Sequence, residues 1–502
     1  MLADDPVLQP LDEHNRRLLD QVHPDDWSNP RPKSRYDLVV IGGGTAGLVS
    51  AAGAAGLGAR VALVERHLLG GDCLNTGCVP SKAIIAASRA WHTVRNGEEM
   101  GAAPPIGTGD FGRVMERMRR LRADIAPNDG APRLRDLGVD VFLGEARFVA
   151  ADAVEVDGAR LAFKRAVIAT GARAAAPPIA GLAEAGYLTH ETVFSLTQLP
   201  RRLAVIGAGP IGCELAQAFS RLGSQVTVFD VVPRVLPRED EDAAALIAEV
   251  LRRESVRLEL GGAIEEVQSK GAVKVVRFGR DDRIAADEVL VAAGRVPNVD
   301  GLGLEAAGVE HDAKGVKTDD HLRTTNPRVY ACGDVASPLR FTHAADAQAR
   351  LVLRNAFFFG RGKVSSLLIP SCTFTSPEVA HVGLHAAAAE EQGLQVQTIR
   401  VELADVDRAR LDGGTDGFLK LHVKANSDQL LGATLVAPRA GDLIAELCVA
   451  IRAGVGLKTL ADTVHPYPTL SEVVKKAADA WNRTRLTPKA KTAFKLRFRL
   501  LR

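Results

Sequence analysis

The sequence contains few cysteines, few aromatic residues and almost no net charge, and each of these absences excludes a class of protein. Six cysteines in 502 residues are too few for a disulfide-stapled scaffold, so chemistry has to explain them. Aromatic residues make up 5% of the chain, which together with 47 glycines fits α/β layers better than an aromatic-rich all-β protein. With 63 basic against 61 acidic residues, the net charge of +2 gives no indication of a nucleic-acid partner.

The sequence also lacks a clear targeting signal. Its N-terminus, MLADDPVLQPLDEH, is acidic and has no apolar run, so no secretory signal is predicted and the cytoplasm is the expected location. One uncharged stretch, Leu38–Ala59, reaches bilayer length with 22 residues. It holds seven glycines, however, and four of them cluster behind a β-branched run. This pattern predicts a strand, a turn and a helix.

A chain of this length predicts several domains. The apolar run at 36–41 (YDLVVI) predicts a buried parallel strand, followed by a glycine-rich turn, an alanine-rich helix and a second strand at 61–65. The same order returns at 203–230, roughly 165 residues later. Two copies of one βαβ unit predict two nucleotide-binding domains. Alternating runs at 417–423 and 429–436 predict an antiparallel sheet nearer the C-terminus.

The first strand is followed by the glycine pattern Gly42-x-Gly44-x-x-Gly47, which opens the predicted helix. Glycine at these positions allows a tight turn and lets the backbone approach a pyrophosphate, while the helix N-terminus offers free N–H groups to the anion. Glu65 ends the next strand, 18 residues beyond Gly47, where a carboxylate accepts hydrogen bonds from a ribose diol. The pattern predicts a dinucleotide site.

A second copy of the pattern is Gly207-x-Gly209-x-x-Gly212, with Asp230 again 18 residues beyond the last glycine. One such motif is a weak signal, but two with matched strands and matched terminal acids predict two bound dinucleotides. A carboxylate at Asp230 would repel a 2′-phosphate, which favours NADH over NADPH. Arg234 follows closely in the sequence and could reach a phosphate, so NADPH stays possible.

The most informative stretch is Gly70–Lys82, which reads GGDCLNTGCVPSK. Cys73 and Cys78 are five residues apart, and near a helix N-terminus such a pair could hold a thiolate and cycle between dithiol and disulfide. The alternatives are half of a zinc site or two buried cysteines. A zinc site would need a second pair with suitable spacing, so the redox interpretation is favoured and no metal site is predicted. The other cysteines, which show no paired spacing and are expected in the core, are Cys213, Cys332, Cys372 and Cys448.

The run GGDCLNTGCVPSK resembles the redox-active disulfide of the class I pyridine nucleotide-disulfide oxidoreductases, and the resemblance covers about residues 36–482. It implies an α/β fold with two Rossmann-like domains, one for FAD and one for NAD(P), plus a C-terminal α+β dimerisation domain, and a homodimer. The predicted domains are an N-terminal extension and linker (1–34), the first part of the FAD domain (35–178), the NAD(P)H domain (179–297), the second part of the FAD domain (298–367), the dimerisation domain (368–485) and a basic tail (486–502).

The resemblance also implies roles for individual residues. Cys78 would lie against the flavin, and Cys73 would be the interchange thiol that meets the substrate. Lys82 would lie near the flavin ring, paired with Glu214, and Asp334 would be a ligand of the flavin ribityl and phosphate. The cofactor-binding residues predicted from the fingerprints and the resemblance are Gly42, Gly44, Gly47, Glu65, Gly71, Lys82, Ala146, Thr170, Gly207, Gly209, Gly212, Glu214, Asp230, Gly294 and Asp334.

One family motif is altered in this chain. Most members carry His-Pro-Thr-x-x-Glu, contributed across the dimer, in which the histidine is the acid/base for the interchange thiol and the glutamate orients it. Here the segment 465–472 reads HPYPTLSE, so Tyr467 stands five residues before Glu472, and His465 stands seven before it. Tyrosine is a poor general base at neutral pH, which argues against efficient exchange with lipoamide or glutathione. The predicted catalytic residues are Cys73, Cys78, Tyr467 and Glu472, although Tyr467 could merely fill the space of the lost base.

A tyrosine at this position resembles the mercuric reductases, as does the segment Glu214–Phe219 (ELAQAF). Their metal-delivery parts are not found here, since residues 1–34 contain no cysteine and the chain ends Arg-Leu-Leu-Arg instead of carrying a vicinal cysteine pair. We therefore expect a core similar to mercuric reductase without that delivery apparatus.

The expected function is transfer of electrons from NADH, with NADPH possible, through FAD and a Cys73–Cys78 disulfide to a soft metal ion such as Hg(II) or to a small disulfide. The alternatives are a flavin reductase or diaphorase acting on quinone or oxygen, and a non-catalytic redox-sensing flavoprotein. The tail at 494–502 (FKLRFRLLR) alternates apolar and basic residues, so it could lie weakly on an anionic membrane surface. It could instead be solvated or packed between subunits.

Overall fold

The computed structural model describes residues 4–98, 101, 109–358 and 360–502, and these form two compact units. The first unit runs to Pro233 and resumes from Glu254 to Leu367. The second unit comprises Arg234–Arg253 and Leu368–Arg502. The units are broader than the domains expected from the sequence, whose boundaries stay predictions.

The helices and strands follow one another in repeated βα order over the first unit. In chain order the helices are α1 (Glu13–Val22), α2 (Thr45–Gly56), α3 (Gly71–Asn75), α4 (Cys78–Arg95), α5 (Phe111–Ile125), α6 (Ala131–Asp136), α7 (Leu182–Ala185), α8 (Pro210–Leu222), α9 (Glu241–Arg253), α10 (Thr342–Phe357), α11 (Ala386–Glu391), α12 (Asp407–Leu411), α13 (Ala440–Ala453), α14 (Leu457–Asp462), α15 (Glu472–Thr484) and α16 (Pro488–Leu500). The strands are β1 (Tyr36–Ile41), β2 (Val61–Glu65), β3 (Val139–Leu143), β4 (Ala146–Ala150), β5 (Ala153–Val156), β6 (Ala159–Ile168), β7 (Ala172–Ala174), β8 (Arg202–Ile206), β9 (Gln225–Asp230), β10 (Arg257–Leu260), β11 (Ile264–Lys270), β12 (Val273–Phe278), β13 (Asp282–Ala286), β14 (Glu288–Val291), β15 (Arg295–Pro297), β16 (His311–Asp312), β17 (Gly315–Val316), β18 (Val329–Ala331), β19 (Ser371–Thr373), β20 (Glu378–Gly383), β21 (Val396–Glu402), β22 (Phe418–Lys424) and β23 (Leu430–Ala437).

The largest sheet of the first unit has the strand order β3-β2-β1-β6-β5-β4, with β18 also paired to β6. Strand β1 runs parallel to β2 and β6, and β18 runs parallel to β6. Because β1, β6 and β18 end at the same edge, the loops that begin at Gly42, Ala169 and Cys332 lie side by side. The carboxyl edge of a parallel sheet is where such folds bind ligands.

The uncharged stretch Leu38–Ala59 is divided between β1 and α2, as the glycine pattern predicts. Strand β1 is buried along almost its whole length, which accounts for its apolar sequence. Across the described ranges, every helix is too short or too polar to cross a bilayer.

A second parallel sheet of the first unit has the order β10-β9-β8-β14 and repeats the βαβ arrangement of the first. Strand β8 precedes the second glycine pattern, and β9 ends at Asp230. Three antiparallel strands, β11, β12 and β13, form a separate small sheet. The two βαβ copies confirm the predicted α/β class with two Rossmann-like sheets.

The second unit is built on an antiparallel sheet with the order β19-β20-β23-β22-β21. The alternating runs at 417–423 and 429–436 correspond to β22 and β23, as predicted. Helices α13 and α15 pack on this sheet, and their apolar side chains join its buried cluster. The last helix, α16, has no buried side chain in the described part of the chain.

Residues 4–34 are more than an extension that leads into the first strand. Helix α1 places Leu18, Leu19 and Val22 in the core of the first unit, and Leu8 is fully buried before it. These few apolar side chains have helical spacing but are surrounded by polar residues in the sequence, so the composition alone suggests a linker.

Candidate active site

The first glycine turn follows β1 and has no room for larger residues. Gly42 adopts a φ of +104°, and a Cβ there would lie 2.4 Å from the carbonyl oxygen of Ala169. A Cβ on Gly47 would lie 1.8 Å from the carbonyl oxygen of Gly42. The Glu65 carboxylate at the end of β2 accepts a hydrogen bond of 2.5 Å from Gly43 N. The turn therefore brings backbone N–H groups, the start of α2 and a carboxylate to one place.

The second glycine turn repeats this geometry. Gly207 has a φ of +113°, and a Cβ on Gly212 would again lie 1.8 Å from the carbonyl oxygen of the first glycine. Asp230 Oδ2 accepts a hydrogen bond of 2.7 Å from Ala208 N, in the same way that Glu65 accepts from Gly43. Helix α8 begins at Pro210, directly after Gly209. Both turns thus have the same close packing and the same terminal acid.

The loop that carries the cysteines is fixed onto the first glycine turn. Gly70 N donates to the carbonyl oxygen of Gly43 over 2.8 Å. Gly71 adopts a φ of +55°, and a Cβ there would lie 2.7 Å from the Cα of Gly44. A larger residue at Gly71 would separate the two loops. The dinucleotide turn and the cysteine loop therefore form one continuous surface.

Cys73 and Cys78 are both free thiols in the structure, and their side chains interact directly. The hydrogen bond with the Cys73 thiol lowers the pKa of Cys78 to about 6 against the effect of burial, and Thr342 and Lys82 act in the same direction. The same hydrogen bond raises the pKa of Cys73. The Thr342 hydroxyl lies 3.3 Å from the Cys78 sulfur. At neutral pH Cys78 is therefore the thiolate of the pair, and Cys73 is the protonated thiol.

A lysine one turn along α4 from Cys78 carries the nearest positive charge on that helix. Lys82 Nζ lies 2.8 Å from Glu214 Oε2, and the Glu214 side chain is buried while that of Lys82 is partly exposed. Breaking such a pair would leave a buried carboxylate without its partner, which is costly. The ion pair holds Lys82 on the same side of α4 as the cysteine that begins it.

Buried charges and orphaned polar atoms lie beside the cysteine loop. Arg295 contacts both Asp72 and Asp334, and burial raises the pKa of Asp334. Among the described residues, Arg295 Nε, Arg340 Nε and His190 Nε2 are buried without a hydrogen-bond partner. Buried donors of this kind normally have an acceptor, so they mark a polar ligand beside Asp334.

These features fit a dinucleotide such as FAD. The first glycine turn has the close backbone approach that a pyrophosphate needs, and the orphaned donors supply further anion contacts. The predicted residues Gly42, Gly44, Gly47, Glu65 and Gly71 lie together in this region.

Three other predicted cofactor residues occupy different positions. Thr170 follows β6 at the same edge of the sheet, but its hydroxyl donates to the carbonyl oxygen of Asn298 over 2.7 Å. Gly294, with a φ of +133°, accepts a backbone hydrogen bond from Ala175. Ala146 begins β4 and packs against the apolar core of the first unit. In the structure, Ala146 therefore has a packing role.

The altered C-terminal motif lies in the second unit. Tyr467 is 71% exposed, and its hydroxyl donates to Asp407 Oδ2 over 3.1 Å, which raises its pKa. His465 has a buried side chain whose Nε2 lies 3.0 Å from Glu446 Oε1. Glu472 begins α15, and its Oε2 is buried without a partner among the described residues. His465 is thus committed to Glu446, and the usual histidine–glutamate pair is not formed with Glu472.

Several site contacts could not be found by reading the sequence. Thr342, Arg295 and Glu446 are far along the chain from the residues that they contact, and none belongs to a motif quoted above. Gly294-Arg295 does follow the strand β14, and a basic residue at such a strand end was the one available signal.

Comparison with known proteins places the chain in a family. Residues 36–349 match the pyridine nucleotide-disulphide oxidoreductase family, and residues 369–478 match its dimerisation domain. The chain belongs to this family. It is 36% identical over 477 residues to a mercuric reductase of Bacillus cereus, covering 94% of this chain and 76% of that protein. It is 34% identical over 461 residues to a dihydrolipoyl dehydrogenase of Thermus scotoductus, covering 89% and 97%.

Solved structures agree with this assignment. The Cu(II) complex of the HOCl-induced flavoprotein disulfide reductase RclA from Escherichia coli superposes with a TM-score of 0.80 at 29% identity, covering 88% of this chain and 98% of that one. The structure of LpdA from Mycobacterium tuberculosis gives a TM-score of 0.81 at 28% identity, covering 88% and 99%.

Family membership confirms the resemblance drawn from the cysteine run. The protein is an oxidoreductase of a family that uses FAD and NAD(P)H, and its dimerisation domain supports a homodimer. Relatives with two different substrates are nearly equally similar, so the family does not define the electron acceptor.

Proposed function

We propose that the protein uses a nicotinamide dinucleotide to reduce a soft metal ion, with Hg(II) the specific candidate, at the Cys73–Cys78 pair. Bound FAD supplies the two-electron relay between the nicotinamide and these cysteines. The observation that carries the proposal is the pair itself, in which an exposed Cys78 with a lowered pKa contacts Cys73. Two adjacent sulfur ligands suit a soft cation. In the balanced reaction NADH loses a hydride, Hg(II) gains two electrons to become Hg(0), and one proton is released.

The C-terminal motif favours a metal over a disulfide as acceptor. Thiol–disulfide exchange gains from a general base near the interchange thiol. Tyr467 is held protonated by Asp407, and His465 is paired with Glu446. We propose that Tyr467 and Glu472 complete the site across the homodimer without supplying that base.

The named relatives support both substrate classes. The mercuric reductase of Bacillus cereus acts on a soft metal, and the RclA structure from Escherichia coli is a Cu(II) complex of a disulfide reductase. The dihydrolipoyl dehydrogenase of Thermus scotoductus has a disulfide-forming substrate, so a small disulfide is the second candidate acceptor. The remaining assigned residues, Gly207, Gly209 and Gly212 for the nicotinamide dinucleotide and the first-turn set for FAD, keep their predicted roles in this proposal.

The acceptor is tested by anaerobic assay of the purified holoenzyme with NADH and either Hg(II), lipoamide or oxidised glutathione. The proposal expects turnover with Hg(II) to exceed turnover with either disulfide. Turnover with lipoamide or glutathione that exceeds turnover with Hg(II) would assign the protein to the disulfide class. Turnover with quinone alone would instead support the diaphorase alternative.

We further propose that NADH is preferred over NADPH because of Asp230. Its two carboxylate oxygens accept hydrogen bonds from Ala208 N and Val232 N, which hold the charge at the end of β9. Asp230→Ser should raise the ratio of kcat/KM for NADPH to that for NADH by about 10-fold, because removing the charge removes a repulsion of about 1.4 kcal/mol. Steady-state kinetics with both nucleotides measure this ratio. Asp230→Glu keeps the charge and serves as the matched control, and an unchanged ratio in the serine variant would contradict the preference.

We also propose that α16 contacts an anionic membrane surface. Phe498, Leu500 and Leu501 are 59%, 80% and 71% exposed, so the helix presents unburied apolar side chains. From Leu486 onward the sequence contains six basic residues and no acidic residue. Basic residues near an anionic surface each contribute about 1 kcal/mol, and apolar side chains insert at the headgroup boundary. The cytoplasmic location stays a prediction.

Co-sedimentation with vesicles tests this contact. The full chain should bind phosphatidylcholine vesicles that contain phosphatidylglycerol at least about 10-fold more tightly than vesicles of phosphatidylcholine alone. A chain ending at Arg485 should lose this difference while keeping its flavin, because α16 has no buried side chain in the described part of the protein. Equal binding by both chains would contradict the contact, and a weaker dimer on truncation would assign the tail to the subunit interface.

A further inference from the structure

The first described residues fold onto the first unit as a defined element, which we call the brace segment (residues 5–22). A short 3₁₀ turn at Pro6–Leu8 is followed by α1. Asn15 in α1 is fully buried, and its Nδ2 donates to the carbonyl oxygens of Leu8 over 2.8 Å and Pro10 over 2.9 Å. These hydrogen bonds close the segment on itself.

A buried arginine joins the brace segment to the cysteine loop. Arg122 in α5 is 1% exposed, and its Nη2 donates to Asn15 Oδ1 over 2.6 Å and to the carbonyl oxygen of Val7 over 3.3 Å. Its Nη1 donates to the carbonyl oxygen of Asn75 over 2.6 Å. Burial lowers the pKa of Arg122 to about 10, so the side chain is still cationic at neutral pH. A buried cation needs these acceptors, and the planar guanidinium fixes their relative positions.

Asn75 is the central residue of the cysteine loop. It ends α3, between Cys73 and Cys78, and its Nδ2 donates to the carbonyl oxygens of Leu69 over 3.0 Å and Gly71 over 2.9 Å. A shift of Asn75 would therefore move the stretch between the two cysteines together with the turn at Gly71. Because Gly71 packs on the first glycine turn, the same shift would reach the dinucleotide surface.

The brace segment and the residue after it also hold the beginning of this loop. Leu69 N donates to the carbonyl oxygen of Val22 over 3.1 Å. His23 Nδ1 lies 2.5 Å from the carbonyl oxygen of His67, and the His67 side chain pairs with Asp5. The loop between β2 and α4 is thus held at both its beginning and its end.

We infer that the brace segment positions the cysteine pair, with Arg122 and Asn15 as positioning residues that act through Asn75. The segment fixes the carbonyl of Asn75, and this sets the distance and angle between the thiols and their orientation toward the dinucleotide surface. The inference does not depend on which acceptor the cysteines reduce. Loosening the brace should affect the reactions of the dithiol and leave hydride acceptance from the nicotinamide unaffected.

Hydrogen exchange of the oxidised holoenzyme tests the inference directly. Asn15→Ala and the milder Arg122→Lys should each speed amide exchange in peptides covering 70–78 by about 10-fold, because local opening of the loop becomes easier. Peptides covering 203–230, in the second βαβ copy, should exchange as in the parent protein. Arg120→Ala is the matched control, since this α5 side chain is half exposed and pairs only with surface Asp124 among the described residues.

The same variants are then reduced anaerobically with NADH. Both should lose at least half of the thiolate-to-flavin charge-transfer absorbance, while ferricyanide reduction, which bypasses the dithiol, stays within about 2-fold. Unchanged exchange at 70–78 in both variants would overturn the inference. Equal acceleration at 70–78 and 203–230 would also overturn it, because that result shows general destabilisation without specific positioning.

Discussion

Replacing Cys73 or Cys78 by alanine is expected to reduce turnover of Hg(II) and of small disulfides at least about 1,000-fold, a loss of about 4 kcal/mol in transition-state stabilisation. The two-electron chemistry of the pair needs both sulfur atoms, since one thiol can neither close a disulfide nor supply two ligands to one metal ion. Stopped-flow reduction of the flavin by NADH should be preserved within a few-fold. The paired measurement separates delivery of electrons to the flavin from their use.

The two variants should differ in a second property. Cys73→Ala removes the hydrogen bond that lowers the pKa of Cys78, so the remaining thiolate should form at a higher pH than in the parent protein. Cys448→Ala, a partly buried cysteine of α13 in the second unit, is the matched control and should keep full turnover. Full turnover in either active-site variant would contradict the dithiol account and support direct transfer to quinone or oxygen.

Tyr467→His is expected to raise lipoamide reduction by at least about 10-fold and to lower reduction of Hg(II). The change restores a histidine five residues before Glu472, whose Oε2 is buried and unpartnered in the described chain and is therefore able to orient an imidazole. General acid–base catalysis by a positioned histidine contributes about 100-fold or more, of which an unoptimised site should recover a part. Steady-state kinetics with both acceptors, at saturating NADH, measure the two effects.

Tyr467→Phe separates the base from the change in shape. Phenylalanine removes the hydroxyl that donates to Asp407 but supplies no titratable group, so lipoamide reduction should stay at the parent level. Equal behaviour of the histidine and phenylalanine variants would show that position 467 fills space and that its chemistry is not used.

The parts of the site that the sequence predicts are those fixed by local spacing. Each glycine turn depends on residues within six positions of one another, and the hard contact of Gly47 with Gly42 recurs between Gly212 and Gly207. The terminal acids follow at a constant interval because strand, helix and strand lengths are the same in both copies. The α/β class and the two Rossmann-like sheets were predictable for that reason.

The parts that the sequence does not predict depend on contacts between distant residues. Thr342 reaches Cys78 because β18 pairs with β6 and brings the start of α10 to the same edge. The pairing of His465 with Glu446 requires α13, nineteen residues earlier in the chain, to lie beside the motif. No spacing rule reports such neighbours.

The N-terminal segment and α9 show a different limitation. The polar composition of residues 1–34 hides the side chains of α1 that enter the core, because three buried apolar residues suffice for a ten-residue helix. Helix α9 clusters with the second unit although it follows the second βαβ copy in sequence. Its neighbours there include Lys420, which contacts Asp242 over 2.6 Å. Such partners are set by tertiary packing, which the order of elements does not reveal.

The central claim is that a thiolate at Cys78 is on the path of electrons, and anaerobic titration of the holoenzyme with NADH tests it most directly. At pH 8 a long-wavelength thiolate-to-flavin charge-transfer band should appear after two electrons. Because the pKa of Cys78 is lowered to about 6, the thiolate persists above that pH, and the band should fade as the pH falls through about 6. Bleaching of the flavin at pH 8 without this band would contradict the claim and place the cysteine pair off the path.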